Sequence, residues 1–139
     1  MLNFFRTLAA VAALATGLIA AEPAPSGAVA PQERIQLFNG KDLSGFYTWL
    51  RGSGRDDPHR VFTVVDGAIR VSGEGVGYLA TEKEYRDYHL SVEYKWGTKT
   101  DGSGCVRNAG VLVHGVGPDG AAHNAWMTCI ECQLAQGCE

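Results

Sequence analysis

Three groups of polar residues interrupt runs of the sequence that are otherwise apolar, and their residue types can do chemistry. Carboxylates and imidazoles transfer protons, amides and amines bind hydroxyls and oxyanions, and a glycine leaves room for a ligand to approach the backbone. The members of these groups are His89, Ser91, Glu93 and Lys95; Asn108, Gly110 and His114; and Glu131 and Gln133. A carboxylate beside an amide suits sugar hydroxyls, which need paired donors and acceptors.

Each group also has an ordinary structural explanation. Glu93 and Lys95 fit a solvated outer face, His114 fits a single histidine at the end of a strand, and Glu131 with Gln133 fits an exposed sheet surface. Trp126, just upstream, has the ring to stack on a sugar and equally the bulk to pack in a core. Spacing alone leaves these alternatives open.

Two cysteines, Cys129 and Cys132, have the C-x-x-C spacing that is typical of zinc and redox sites. They lie in a run with strand-like alternation, where residues three apart point to opposite faces. One strand therefore cannot bring both thiols to one ion, and no helical setting for a redox motif follows. Structural disulfides are the alternative, with the pairing left open among Cys105, Cys129, Cys132 and Cys138.

The elements that must position these residues are short runs with a period of two, which predict strands. Residues 61–65 and 68–72, joined by Asp66-Gly67, predict a hairpin. We expect further strands within residues 33–38, 77–85, 87–96, 108–115 and 126–134. Six or seven short strands with glycine-rich loops predict an all-β antiparallel sandwich.

Alternation along these strands assigns side chains to faces. In residues 87–96 one face is wholly apolar, and Glu93 lies with Lys95 on the other. In the next strand Asn108, Gly110, Leu112 and His114 share a face, and Arg107 lies on the opposite one. In the last strand Cys129, Glu131 and Gln133 share a face opposite to Cys132.

The first residues have the order of a secretory signal peptide. Arg6 precedes an uncharged run from residue 7 to residue 21, in which seven of the 15 residues are alanine and which is shorter than a membrane span requires. We expect residues 1–21 to be a signal peptide cleaved near Ala20–Ala21, residues 22–33 a Pro/Ala-rich linker, and residues 34–139 the domain. The protein is therefore expected to be exported, to the periplasm or beyond.

Charge excludes some partners. The formal net charge is −3 and no basic run is present, so nucleic acid is not an expected partner. After cleavage of the leader we expect no stable membrane insertion, because no other segment is long and apolar enough.

The blocks LFNGKDLSGFYTWL, DPHRVFTVVDGAIRVSGEGVGYLATEKEYRDYHLSVEYKWG, RNAGVLVHGVGPDG and WMTCIECQL together resemble the 3-keto-disaccharide hydrolase domain family, in the same order, from residue 35 onwards. The resemblance implies a concanavalin A-like jelly-roll β-sandwich, export, and cleavage of 3-keto-glycosides. Family members continue with further strands after the block like IECQL, so residues 34–139 are expected to be an N-terminal fragment, incomplete at the C-terminus.

The resemblance places the family's polar blocks on Glu93 and Lys95, on Arg107, Asn108, Gly110 and His114, and on Glu131 and Gln133. A 3-keto sugar needs a base near the C2 proton and a proton source for the leaving group, and we expect Glu131 and His114 to be this catalytic pair. We expect the substrate-binding residues to be Glu93, Lys95, Arg107, Asn108, Gln133 and Trp126. Many members have Asp-Ser or Asn-Ser before the glycine, where this chain has Asn108-Ala109. If the family's chemistry uses that carboxylate or hydroxyl, this chain has lost it. No cofactor is expected, and no ligand spacing argues for a divalent metal on His114, Glu131 and Glu93. The alternative functions are a sugar-binding module without catalysis and a zinc or redox protein.

Overall fold

A computed structural model of the 139-residue chain describes residues 27–98 and 107–137. Within these ranges the chain forms six strands and no helix. The strands pair into three two-stranded antiparallel sheets, β1 with β4, β2 with β3 and β5 with β6. The bounds are β1 Phe46–Leu50, β2 Phe62–Val65, β3 Ala68–Val71, β4 Gly77–Thr81, β5 Arg107–Val116 and β6 Thr128–Gln136.

The β2–β3 hairpin confirms the Asp-Gly turn prediction. Val65 pairs with Ala68 across a two-residue connection. Asp66 has φ 51° and Gly67 φ 72°, the positive values that a type I′ turn requires at both central positions. The local sequence thus fixes the register of this hairpin.

The turn before β1 contains Asp42, whose carboxylate accepts several hydrogen bonds. Asp42 Oδ1 accepts hydrogen bonds from Asn39 Nδ2 at 2.8 Å and from the Ser44 backbone N–H at 2.9 Å. Hydrogen bonds from Ser44 and Asn39 lower the pKa of Asp42 to about 2. β1 begins after this turn. It pairs with β4, from Phe46 opposite Thr81 to Leu50 opposite Gly77.

The buried core lies beside the β1–β4 pair. Leu50, Val61, Tyr78 and Ala125 are the buried residues of the described ranges. A Cβ on Gly77 would lie 2.8 Å from the Leu50 Cα, so only glycine allows the two strands to approach this closely here.

β5 and β6 form the longest pair, with Gly110 opposite Gln133 and Leu112 opposite Glu131. The register shifts between Val113 and Val116, where two residues of β5, His114 and Gly115, oppose one residue of β6. His114 has φ 54°, a left-handed conformation that non-glycine residues rarely adopt. This is a β-bulge, which bends a strand and redirects its side chains.

Two strand predictions are wrong. Residues 33–38 and 87–96 contain no strand, because no backbone hydrogen-bond ladder within the described part of the chain joins them to a neighbour. Alternation shows which residues would share a face, but a strand also needs a partner. The strand at β1 was not predicted, since the turn-rich residues before it were read as a continuing loop.

The expected signal peptide lies outside the described residues. The part of the chain that the structure describes contains no helix with the length and hydrophobicity that a bilayer crossing requires.

Candidate functional site

The Glu131 side chain lies across Gly110 on one face of the β5–β6 pair. Glu131 is directly opposite Leu112, yet a Cβ on Gly110 would lie 2.6 Å from the Glu131 Cγ and 2.7 Å from its Cδ, with Oε1 nearer still. Any side chain at position 110 would therefore displace the carboxylate. Gly110 provides the space that the sequence suggested, but a side chain of the same protein fills it.

An amide pair lies beside this carboxylate. Gln133 Nε2 donates a hydrogen bond to Asn108 Oδ1 and a second to the carbonyl oxygen of Ala109 at 3.3 Å. Gln133 is directly opposite Gly110, so the two amides and the Glu131 carboxylate share one face, as alternation predicted. All three side chains are exposed, and together we call them the polar face.

His114 lies at the bulge, two residues beyond Leu112 on β5. Alternation placed His114 on the face of Asn108, but the bulge interrupts the alternation at this residue, so that assignment does not follow. The His114 ring is exposed and stacks on the Tyr88 ring, with centroids 6.3 Å apart and planes 27° apart. The imidazole is thus oriented by an aromatic neighbour that the sequence did not identify.

The Arg107 guanidinium donates hydrogen bonds to two neighbouring groups. Its Nε donates to the Gly97 carbonyl oxygen at 2.8 Å and its Nη1 donates to Gln136 Oε1 at 2.6 Å. Arg107 opposes Gln136 in the ladder and lies on the face opposite to Gly110, as alternation predicted. Gly97 thus contacts the first residue of β5, and Tyr88 contacts His114 near its other end. Residues 88–97 are therefore attached to both ends of β5.

The other expected substrate-binding residues are not brought to the polar face by any contact within the described ranges. Glu93 and Lys95 are exposed and lie in the segment that the structure leaves without a strand. Trp126 is half-buried and precedes β6, where its backbone N–H and C=O both bond to Ala122. These three residues remain predictions as ligands of a substrate.

The cysteines lie as strand alternation requires. Cys132 is opposite Val111 on the apolar face, and Cys129 lies at the bulge, three residues along the same strand. Both are free thiols. Cys105 and Cys138 lie outside the described residues. No group of three or more His, Cys, Asp or Glu side chains within residues 27–98 and 107–137 is arranged to hold a metal ion.

A second polar cluster, centred on Asp119, was missed by sequence reasoning. The Asp119 carboxylate is 16% exposed and accepts hydrogen bonds from the hydroxyls of Tyr47 at 2.9 Å and of Tyr78, and from Arg55 Nη2 at 3.2 Å. The Arg55 guanidinium also lies 4.0 Å from the centre of the Tyr47 ring. These four residues, the Asp119 cluster, join the β5–β6 connection to β1 and β4.

Burial and hydrogen bonding change the acidity of this cluster. Burial raises the pKa of Tyr78 above its ordinary value, and its hydrogen bond to the Asp119 carboxylate adds to the rise. For Asp119, burial acts to raise the pKa, but the hydrogen bonds from Tyr78, Tyr47 and Arg55 outweigh it and lower the pKa. Both directions favour a neutral phenol beside an ionised carboxylate, an arrangement that stabilises the fold and leaves no free base. No local pattern could have revealed it, because Tyr47 and Asp119 are 72 residues apart.

A shallow groove of about 210 Å³ lies away from the polar face. Its walls come from residues 35–37, Gly45, residues 81–83 and Tyr85, and none of them belongs to β5 or β6. The polar face therefore remains the part of the described structure that concentrates residues able to do chemistry.

Comparison with known proteins identifies the family. Residues 33–139 match the family described as the 3-keto-alpha-glucoside-1,2-lyase-like domain. Neither the search of curated proteins nor the search of solved structures found a match. The match covers well over half of the chain and includes all six strands. The chain therefore belongs to this family of 3-keto-α-glucoside 1,2-lyase-like domains, which are carbohydrate lyase- or hydrolase-like, and it has the all-β, concanavalin A-like sandwich fold that the sequence predicted.

Proposed function

We propose that the protein is an exported enzyme that cleaves 3-keto-glycosides at the polar face of β5 and β6. The observation that carries the proposal is the Glu131 carboxylate held across Gly110, beside the hydrogen-bonded amides of Gln133 and Asn108. The carboxylate can remove a proton from the sugar, and the amides can donate to and accept from its hydroxyls. The family description, a 1,2-lyase of a 3-keto-α-glucoside, supports a substrate of this class.

The reaction follows from the acidity of a ketone. A base removes the proton at C2, and the electron pair of the C2–H bond forms an enolate with the C3 oxygen. The enolate then expels the substituent at C1, so that the C1–O bond breaks and a C1–C2 double bond forms, while an acid protonates the leaving oxygen. Addition of water, with OH to C1 and H to C2, gives the free 3-keto sugar. Each step needs a proton donor or acceptor near C1 and C2 and a hydrogen-bond donor at the C3 oxygen.

Glu131 and His114 are the proposed base and acid. The ladder pairs Glu131 with Leu112, and His114 follows two residues further along β5, at the bulge. The two side chains thus belong to neighbouring positions of one strand pair, as a base and an acid acting on neighbouring carbons of one sugar ring require. The stacked Tyr88 ring restricts the orientation of the His114 imidazole.

The remaining residues would bind the rest of the substrate. Asn108 and Gln133 lie beside the carboxylate and would hold ring oxygens. Glu93, Lys95 and Trp126 would contact the substrate further out, and Arg107, which already bonds Gly97 and Gln136, would act by holding β5.

The test measures release of the aglycone from an aryl 3-keto-α-glucoside by the full chain and by Glu131→Gln and His114→Ala variants. Loss of a general acid or base typically lowers the rate about 10²–10⁴-fold, and we expect losses in this range. Glu84→Gln, which changes an exposed glutamate whose side chain makes no hydrogen bond or ion pair within the described residues, is the matched control and should retain full activity. Substrate deuterated at C2 should react more slowly if proton removal limits the rate.

Two outcomes would contradict the proposal. Saturable binding of the sugar without release of aglycone would show a sugar-binding module in place of an enzyme. Full activity in both the Glu131→Gln and His114→Ala variants would show that the catalytic groups lie elsewhere.

Export is the second part of the proposal and is supported by the charge and hydrophobicity of residues 1–21. The N-terminal sequence of the protein recovered from the periplasm or the medium should begin close to Glu22. Recovery of the protein only from the cytoplasm, with Met1 or Leu2 at its start, would contradict export.

A further inference from the structure

The segment of residues 88–97 runs antiparallel to β5 and contacts it near both ends. The Tyr88 ring stacks on His114, and the Gly97 carbonyl oxygen accepts a hydrogen bond from Arg107 Nε. Because the start of the segment meets the far part of β5 and its end meets the first residue of β5, the two run in opposite directions. Residues 88–97 contain no turn, no bend and no residue with positive φ, so their backbone is unbent.

Both the segment and β5 have backbone groups that lack a ladder partner. β5 pairs with β6 along one edge only. Neither its other edge nor residues 88–96 make a backbone hydrogen bond within the described part of the chain. Residues 89–95 are exposed, whereas Tyr88 and Trp96 at the two ends are half-buried. An unpaired edge with an unbent segment attached beside it is the geometry from which a sheet gains a strand.

Alternation and the two contacts together select one register for such a strand. A slip of one residue moves every side chain to the other face, and the apolar side chains of the segment belong on the apolar face of β5. The register that meets this condition and lies between the two contacts has Glu93 opposite Gly110. In this register each observed contact joins residues that are one position from direct opposition. The opposed pairs are Leu90 with Val113, Val92 with Val111 and Tyr94 with Ala109 on the apolar face, and Ser91 with Leu112, Glu93 with Gly110 and Lys95 with Asn108 on the polar face.

Two carboxylates would meet at Gly110 in this register. The Glu131 side chain already lies across Gly110 from β6. Glu93 would approach the same position from the other side of β5. Like charges at facing positions destabilise the pairing of strands. This repulsion explains a segment that is attached at both ends and has no ladder between them.

We propose that residues 88–96 close onto β5 as a third strand when a sugar binds, which brings Glu93 and Lys95 to the polar face. The inference rests on the proposed substrate class. A sugar between the carboxylates of Glu93 and Glu131 donates a hydroxyl to each, so hydrogen bonds to charged groups replace the repulsion. The sugar contacts Glu93 at Gly110 only in the closed form, and this difference in affinity drives closure. Lys95, opposite Asn108, then donates to a further sugar oxygen.

The test is hydrogen–deuterium exchange of the peptide that contains residues 88–97, measured by mass spectrometry in the full chain and corrected for intrinsic rates. A saturating 3-keto C-glucoside, whose carbon linkage at C1 cannot be cleaved, should slow exchange in the wild type. Glu93→Gln removes the repulsion and should slow exchange about two- to fivefold without any sugar. Glu84→Gln makes the same charge change outside the segment and should leave its exchange unchanged.

The register has its own measurement. Nuclear Overhauser contacts between α protons of facing strands identify which residues are opposed. In the Glu93→Gln chain, and in the wild type with the C-glucoside, they should join members of the pairs given above, such as residue 92 with residue 111.

The inference is overturned if the peptide exchanges equally fast in wild type and Glu93→Gln, or if Glu84→Gln slows it as much. It is also overturned if the α-proton contacts report another register, or if the C-glucoside binds by titration calorimetry and exchange in the wild type stays unchanged. Failure of the proposed function is distinguishable from these results. A C-glucoside that does not bind contradicts the proposed substrate class, and the Glu93→Gln chain without sugar still decides whether the segment closes.

Discussion

Removal of one hydroxyl should measure the contribution of the Asp119 cluster to stability. Tyr78 is 7% exposed, and its hydroxyl donates to the same Asp119 oxygen as Tyr47. Tyr78→Phe deletes this donor and leaves the ring in place, so packing is retained. Asp119 keeps its bonds to Tyr47 and Arg55 and is not left without partners.

The magnitude follows from the nature of the bond. A hydrogen bond to a charged group contributes about 1.5–3 kcal/mol, and the two remaining donors should hold the loss near the lower figure, about 1.5 kcal/mol. For a domain of this size that loss lowers Tm by about 6–12 °C. Urea unfolding followed by tryptophan fluorescence, together with thermal unfolding by circular dichroism, would measure both quantities.

A matched control and a double mutant make the test specific. Tyr85→Phe removes the hydroxyl of a half-buried tyrosine that makes no hydrogen bond within the described ranges, so its effect should stay below about 0.5 kcal/mol. Combined with Asp119→Asn, Tyr78→Phe should cost less than alone, because the charged acceptor is already gone. Equal losses for Tyr78→Phe and Tyr85→Phe, or full additivity with Asp119→Asn, would refute the reasoning.

Three further predictions concern other parts of the chain. Asp42 has a folded-state pKa of about 2, below its ordinary 3.8, so its stabilising contribution is complete above 3.8 and is lost as the pH falls toward 2; unfolding measured across this window should show a steeper loss in wild type than in Asp42→Asn. Gly77→Ala should destabilise the fold by about 2 kcal/mol or more in urea unfolding, because its Cβ would overlap the backbone of β1, and near-wild-type stability would contradict the close approach of these strands. Gly110→Ala should displace the Glu131 carboxylate and reduce aglycone release. Gly97→Ala should not, because no atom of the described residues lies within 4 Å of the added Cβ; equal activity in the two variants would show that Gly110 does not position the carboxylate.

Local sequence predicted the elements whose determinants are themselves local. The Asp66-Gly67 dipeptide determines its hairpin because a two-residue turn needs positive φ at both positions. Period-two alternation placed Glu131 with Gln133 and separated Cys129 from Cys132, since pleating is a property of a single strand.

Features that depend on distant residues could not be predicted in this way. The strand expected at residues 87–96 has no ladder partner within the described part of the chain, and no pattern inside a segment shows whether a partner is present. The bulge at His114 inserts one extra residue into β5, so faces assigned by strict alternation are wrong beyond it. The position of the Glu131 carboxylate depends on the empty space at Gly110 across the ladder, which only the register reveals.

The separation of 72 residues between Tyr47 and Asp119 has a consequence for the order of folding. The β2–β3 hairpin closes over two residues, and closing a short loop is fast and costs little entropy. The Asp119 cluster instead needs β1, β4 and the β5–β6 connection to meet, so we expect its bonds to form after these elements. Interactions that form late contribute little to the folding barrier and mainly slow unfolding. We therefore expect the cluster to lengthen the lifetime of the folded protein more than it speeds folding.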